Sequence, residues 1–298
     1  MPDSRLDSVA AEPWTLVVHS VAFQGRIDGV VERTSFLPWG AVWFEFFHTK
    51  QGKLIRFPHL ADFLFDPDAL SEGIYATPCP DADRSTVEHL FHNNVVPMLL
   101  ADRGALMLHG SAVDFGGFAV AFIGVSGRGK STLAASFAAS GFPFLSDDSI
   151  RLEPTDAAYF AQPSYPSIRL WRDSDEAILA GRASKMLGVT FSDKARYAAG
   201  DEIPHAAEPT PLRAIYVLAR DGVSETTIRL LGANEAMMEF VQHSFILDIR
   251  SEQTLGGHFE RMVRLAGKSP AYRLDYPRDY AQLPDVRSKI ISHATTIN

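Results

Sequence analysis

Gly124-Val125-Ser126-Gly127-Arg128-Gly129-Lys130-Ser131 satisfies the spacing G-x-x-x-x-G-K-[ST] in full, and its flanks have the character that spacing needs. The apolar stretch 118–124 reads as a buried strand entering the loop, and 131–140, rich in alanine, reads as the helix leaving it. Glycines let a backbone wrap closely around oxygen atoms and aim successive N–H groups inward, and the following helix turns its positive dipole end to the same anion. The loop therefore predicts a nucleoside triphosphate site. Its loop amides and those of Thr132 cradle phosphate, Lys130 reaches the β- and γ-phosphates, and Ser131 offers a hydroxyl to Mg²⁺.

The remainder of the chain narrows the class. It has 298 residues, 46% hydrophobic and 21% charged, which is globular usage with ample material for a core. A net charge of −8 argues against nucleic acid or an anionic membrane as the main partner. Cys79 is the only cysteine, so no intrachain disulfide forms, and no apolar run reaches the roughly 18 residues of a spanning helix. The opening residues lack an apolar signal core, and the expected compartment is the cytoplasm.

Two parts are expected: a β-rich N-terminal subdomain over 1–83 and a catalytic domain over 84–298. In the first, 14–23 and 41–47 have strand composition, and Lys50-Gln51-Gly52-Lys53 reads as a hairpin turn into 54–57. The Pro- and Asp-rich stretch 66–83 reads as a loop. Ser85 and Glu88 have capping-box spacing and open a helix that Pro97 kinks or ends. A strand over 106–113 then pairs through the turn 114–117 with the strand feeding the loop, and 142–145 forms a short strand ending at Asp147 and Asp148. Further strands are expected at 150–152, 168–171, 212–219, 227–231 and 272–274, and helices at 175–180, 234–246, 258–266 and beyond 279. Recurring hairpins beside the loop point to an α/β fold with a mixed sheet.

Asp147 and Asp148 close the unit that begins with the loop, which brings two carboxylates to the phosphates. Phosphoryl transfer to a hydroxyl uses one carboxylate on Mg²⁺ and another to take the acceptor's proton. Adjacent residues of an extended chain point oppositely, so a residue of turn geometry is required for both to serve. His109, in the paired strand, is placed to donate to a phosphate or to orient the acids.

The run from Leu108-His109-Gly110 through Lys130-Ser131, followed by Phe144-Leu-Ser-Asp147-Asp148, resembles the catalytic core of the HPr kinase/phosphorylase family. The resemblance implies the mixed-sheet P-loop kinase core that this family shares with ATP-dependent phosphoenolpyruvate carboxykinases, with ATP and Mg²⁺ as cofactors. It implies Asp147 as general base, Ser131 and Asp148 as the Mg²⁺ site, and His109 as the family's histidine near the phosphates. Two departures stand out. Thr132 occupies the position where that family carries Glu, and its downstream Glu-Ile/Val-Arg-Gly signature, tied to phosphorolysis, has no counterpart. Over the whole chain, including 163–171, 211–218 and 271–277, the sequence is more similar to HPr-kinase-like proteins that accompany lasso peptide biosynthesis, some of which phosphorylate the C-terminal Ser of the precursor.

The expectation is a serine kinase acting on a peptide or small protein, most specifically a lasso precursor. HPr itself as acceptor and a nucleotide-gated peptide-binding module without catalysis are the alternatives. Arg169, Lys194, Arg196 and Arg213 are candidates for stabilising charge on the transferring phosphoryl group. Nothing in the sequence specifies an oligomeric state.

Overall fold

The computed structural model describes residues 14–18, 25–37, 39–70, 73–219 and 222–297, and the described chain forms two compact units. The opening residues, and residues 19–23 of the strand expected over 14–23, lie outside the described residues.

The first unit comprises residues up to Asp102 together with Gly188–Asp193 and Ile246–Leu255. Its sheet contains β1 (Leu16–Val18), β2 (Gly29–Phe36), β3 (Val42–Thr49), β4 (Gly52–Phe57), β5 (Ala61–Phe65) and β6 (Ile74–Pro78). The order is β1-β6-β5-β4-β3-β2, antiparallel except for the parallel β1–β6 edge. The expected hairpin turn is present, with Thr49 opposite Gly52, whereas β6 occupies part of the stretch 66–83 read as loop. Alternate side chains such as Phe44 and Phe46, or Ile55 and Phe57, are buried.

A helical segment follows as α1 (Arg84–Leu90), a single π-helical stretch (Phe91–Val95) and α2 (Val96–Asp102). Its cap is Asp83, whose carboxylate accepts from the Thr86 N–H at 2.7 Å; Ser85 instead donates to that same carboxylate. The wide turn precedes Pro97, which supplies no N–H to the helical ladder, so the helix is reset there and continues. This segment stays with the first unit, and the observed division falls at Asp102/Arg103, later than the expected 83/84. Val87, Leu90, Val95 and Leu99 are buried, and Thr86 bonds Thr190 in the returning segment Gly188–Asp193.

The second unit carries a nine-stranded mixed sheet. Its strands are β7 (Leu106–Leu108), β8 (Gly110–Asp114), β9 (Ala119–Ile123), β10 (Phe144–Ser146), β11 (Ile150–Pro154), β12 (Tyr159–Gln162), β15 (Thr210–Leu218), β16 (Thr227–Leu230) and β17 (Ala271–Asp275). A separate ribbon pairs β13 (Ser167–Leu170) with β14 (Ala195–Ala198). β15 runs parallel to β9 and to β17, and β10, antiparallel to β8, therefore points the same way as β9. Four strands thus end at one edge of the sheet, where the loop 124–129 begins.

Alternation along β9 builds two cores. Val120 and Phe122 face α3 (Lys130–Ala138) and α7 (Leu283–Thr296), where Leu133, Phe137, Val286 and Ile290 are buried. Ala121 and Ile123 face Phe240 of α5 (Ala233–Gln242) and Met262 of α6 (Glu252–Lys268). The helix α4 (Arg172–Ile178) follows β13. Among the described residues no helix is long and apolar enough to cross a membrane.

The strand expected over 106–113 is two strands. At His109 the backbone leaves the ladder, its N–H donating to the carbonyl of His243 at 2.6 Å, so β7 pairs with β11 while β8 pairs with β9. His109 is therefore a junction residue at the edge where the four parallel strands end.

Candidate functional site

The loop between β9 and α3 is shaped by close approach. Gly124 has φ +146°, and a Cβ there would stand 2.8 Å from the carbonyl oxygen of Leu218 on β15. Gly129 has φ +87°, serves as the N-cap of α3, and a Cβ there would stand 2.4 Å from the Tyr276 hydroxyl. A side chain at Gly124 would displace β15 and one at Gly129 the Tyr276 ring, and both positive φ values favour glycine.

Lys130, in the first turn of α3, folds back along the loop. Its Nζ donates to the carbonyls of Gly124 at 2.7 Å and Val125 at 3.2 Å. The side chain is buried, and burial pushes its ammonium down to about 8, against the opposing pull of Asp148.

The two acids diverge. Asp148 has φ +66°, a left-handed conformation that Asp tolerates better than most residues. That turn sends the Asp147 carboxylate inward, where Oδ1 accepts from the Ser111 hydroxyl at 2.6 Å and Oδ2 from the Arg169 N–H at 3.1 Å. Asp147 is 3% exposed, and burial, then the neighbouring Asp148 charge, raise its proton affinity above the usual carboxylate range. The Asp148 carboxylate is turned outward and lies 3.3 Å from Nε of Arg169. His109 Nδ1–H donates to the Asp148 carbonyl at 2.7 Å, holding the strained turn from behind.

A cavity of about 260 Å³ gathers these groups. One wall holds His109, Asp148, Arg169, Trp171 and Lys194; the loop supplies Ser126, Gly127, Gly129, Lys130, Ser131 and Thr132. Gly124, Val125 and Arg128 complete the loop but do not line the cavity, and neither does Asp147. Of the four basic candidates, Arg169 and Lys194 reach the cavity, the latter with its ammonium 5.6 Å from the Trp171 ring centre. Arg196 is buried beside the Tyr165 ring, and Arg213 lies 3.6 Å over the ring of Phe118, so both serve packing.

The opposite wall was not anticipated: Tyr276, Pro277, Arg278, Asp279, Tyr280 and Leu283, with Asp173 and Ser174 at the start of α4. It follows β17, whose parallel pairing with β15 places its carboxyl end beside the loop. A short strand followed at once by Tyr-Pro-Arg-Asp carried that signal in the sequence, because chain leaving the carboxyl end of a parallel strand forms ligand crevices.

His109 and His243 are both held near 4, in each case chiefly by burial and also by the Lys130 charge. Both are neutral in the fold at pH 5, whereas an unfolded chain protonates them below about 6.5. The unfolded state then binds more protons, so stability falls as pH drops from about 6.5 towards 4. The expected loss is about 2 kcal/mol by pH 5, allowing for the partial exposure of His109. Urea unfolding at pH 7 and pH 5 measures it, and His109→Gln should show the smaller fall; equal falls would remove His109 from the account.

No family model matches the chain, and no curated protein matches it. Among solved structures it is similar to the HPr(Ser) kinase/phosphatase from Coxiella burnetii, with 10% sequence identity and a TM-score of 0.32, over 63% of this chain and 95% of that one.

Proposed function

We propose that the protein is an ATP- and Mg²⁺-dependent kinase that transfers the γ-phosphate to a serine hydroxyl of a peptide or small protein, the C-terminal Ser of a lasso-type precursor being the acceptor. The observation that carries this reading is the convergence of the phosphate loop, Lys130 and the outward carboxylate of Asp148 on one cavity. Loop amides cradle the phosphates, and Lys130 attends the β and γ. Arg169 and Lys194, on the same wall, counter charge that spreads over the transferring group.

The residues present suit Mg²⁺. Ser131 and Asp148 offer hard oxygen donors to the cavity, and among the described residues no three His, Cys, Asp or Glu form a metal-holding group. Mg²⁺ in phosphate sites takes one or two protein oxygens and completes its shell with phosphate and water. Ser131 and Asp148 would hold it, and it would neutralise charge on the phosphates.

Asp147 is the base of this proposal: its raised proton affinity suits proton acceptance, and it acts by exchanging the Ser111 hydroxyl for that of the acceptor. A second reading is favoured by its two hydrogen bonds and its burial, and makes Asp147 a positioning residue that fixes Ser111 and the Arg169 backbone.

Intact-mass spectrometry of a precursor peptide ending in Ser, incubated with ATP, Mg²⁺ and the protein, tests the function. One added phosphate mapped to the terminal Ser is the expected result. Phosphate on HPr but not on the peptide would move the acceptor to that carrier, and nucleotide binding without transfer to either would favour a binding module.

A further inference from the structure

The cavity has two chemically different ends. Lys130, Asp148 and Arg169 mark one, and in a loop of this type the lysine attends the β- and γ-phosphates while the backbone amides cradle the α and β. The nucleoside must therefore leave past the first turn of α3. That is where the wall after β17 stands. The Tyr276 hydroxyl is packed on Gly129, and Thr132 is linked through Ser174 to Tyr280, with hydroxyl separations of 3.3 Å and 2.9 Å. The guanidinium carbon of Arg278 lies over the Tyr276 ring, 3.9 Å from its centre, while Arg278 itself is exposed and lines the cavity. Pro277 and Leu283 add apolar surface beside it.

A planar cation backed by an aromatic ring at the edge of a phosphate site has the chemistry of a base-stacking platform. Resting on the nucleotide reading above, we infer that the wall formed by Tyr276, Arg278 and Tyr280 is a nucleobase subsite, with the base stacking on the Arg278 guanidinium. Stacking engages any base through its π-face, so this subsite separates nucleotides from bare polyphosphate more strongly than it separates one base from another.

Calorimetric titration of the full chain with Mg²⁺-ATP and with Mg²⁺-tripolyphosphate reads the base and phosphate contributions separately. Arg278→Lys keeps the charge and removes the planar platform. The wild type is expected to bind ATP roughly ten-fold more tightly than tripolyphosphate, as one base stack supplies. Arg278→Lys is expected to lose most of that advantage while tripolyphosphate affinity stays within about two-fold. An ATP advantage that survives in Arg278→Lys, or is absent from the wild type, overturns the subsite and leaves the phosphate loop standing. A wild type that binds neither compound overturns the loop reading and the subsite with it.

Discussion

Asp148→Asn is expected to cut phosphate transfer to the acceptor by at least about 10²- to 10³-fold, the scale on which a single charge-stabilising group at a reacting phosphate acts. The amide is nearly isosteric but cannot offer an anionic ligand to Mg²⁺, and it leaves the Arg169 guanidinium, 3.3 Å away, without its carboxylate. Part of the loss should return at high Mg²⁺, which a purely structural defect would not allow. Asp147→Asn separates the two readings of its neighbour. As the base, it loses kcat while nucleotide affinity and melting temperature hold, since a neutral side chain already suits that buried pocket. As a positioning residue, it lowers the melting temperature and nucleotide affinity together, and Ser111→Ala reproduces part of that loss because it removes the partner at 2.6 Å. Turnover retained in Asp148→Asn would end the metal assignment.

Lys130→Met should be comparably severe for function and benign for the fold. The substitution roughly conserves volume but removes the ammonium that spans the loop carbonyls and that the proposed function assigns to the phosphates. Nucleotide affinity and transfer fall together, by about 10²-fold or more. The same ammonium is buried at a cost that its lowered pKa records, so Lys130→Met should melt at the wild-type temperature or above it in the absence of nucleotide. Mg²⁺-ATP should then raise the melting temperature of the wild type and leave the variant unchanged. A variant that unfolds early, or that nucleotide still stabilises, would show that Lys130 serves the scaffold.

The parts of the site that were legible in the sequence are those set by contiguous residues. The loop, the helix after it and the short strand ending in the acids follow from local spacing, and each lies close to where the periodicity puts it. What the sequence withheld depends on pairing across distance. His109 breaks a strand because its amide is claimed by the carbonyl of His243, a contact no local pattern announces. The need for a turned residue at the acidic pair was readable, but not that a positive φ at Asp148 would face one carboxylate outward and bury the other. The cap is Asp83 and not Ser85 because the helix begins at Arg84, which leaves Ser85 inside the first turn and puts the Asp83 carboxylate on the Thr86 amide. The second wall of the cavity comes from chain that reaches the loop only through the parallel alignment of β17 with β15.

Arg169 meets the two acids by different means. Its backbone amide holds Asp147, and its guanidinium holds Asp148. Any residue except proline supplies the first contact, whereas only the side chain supplies the second. The position is thus one where the charge facing the cavity can drift through mutation while the buried anchor persists, a place at which the chemistry of this corner is editable without rebuilding the strand that carries it.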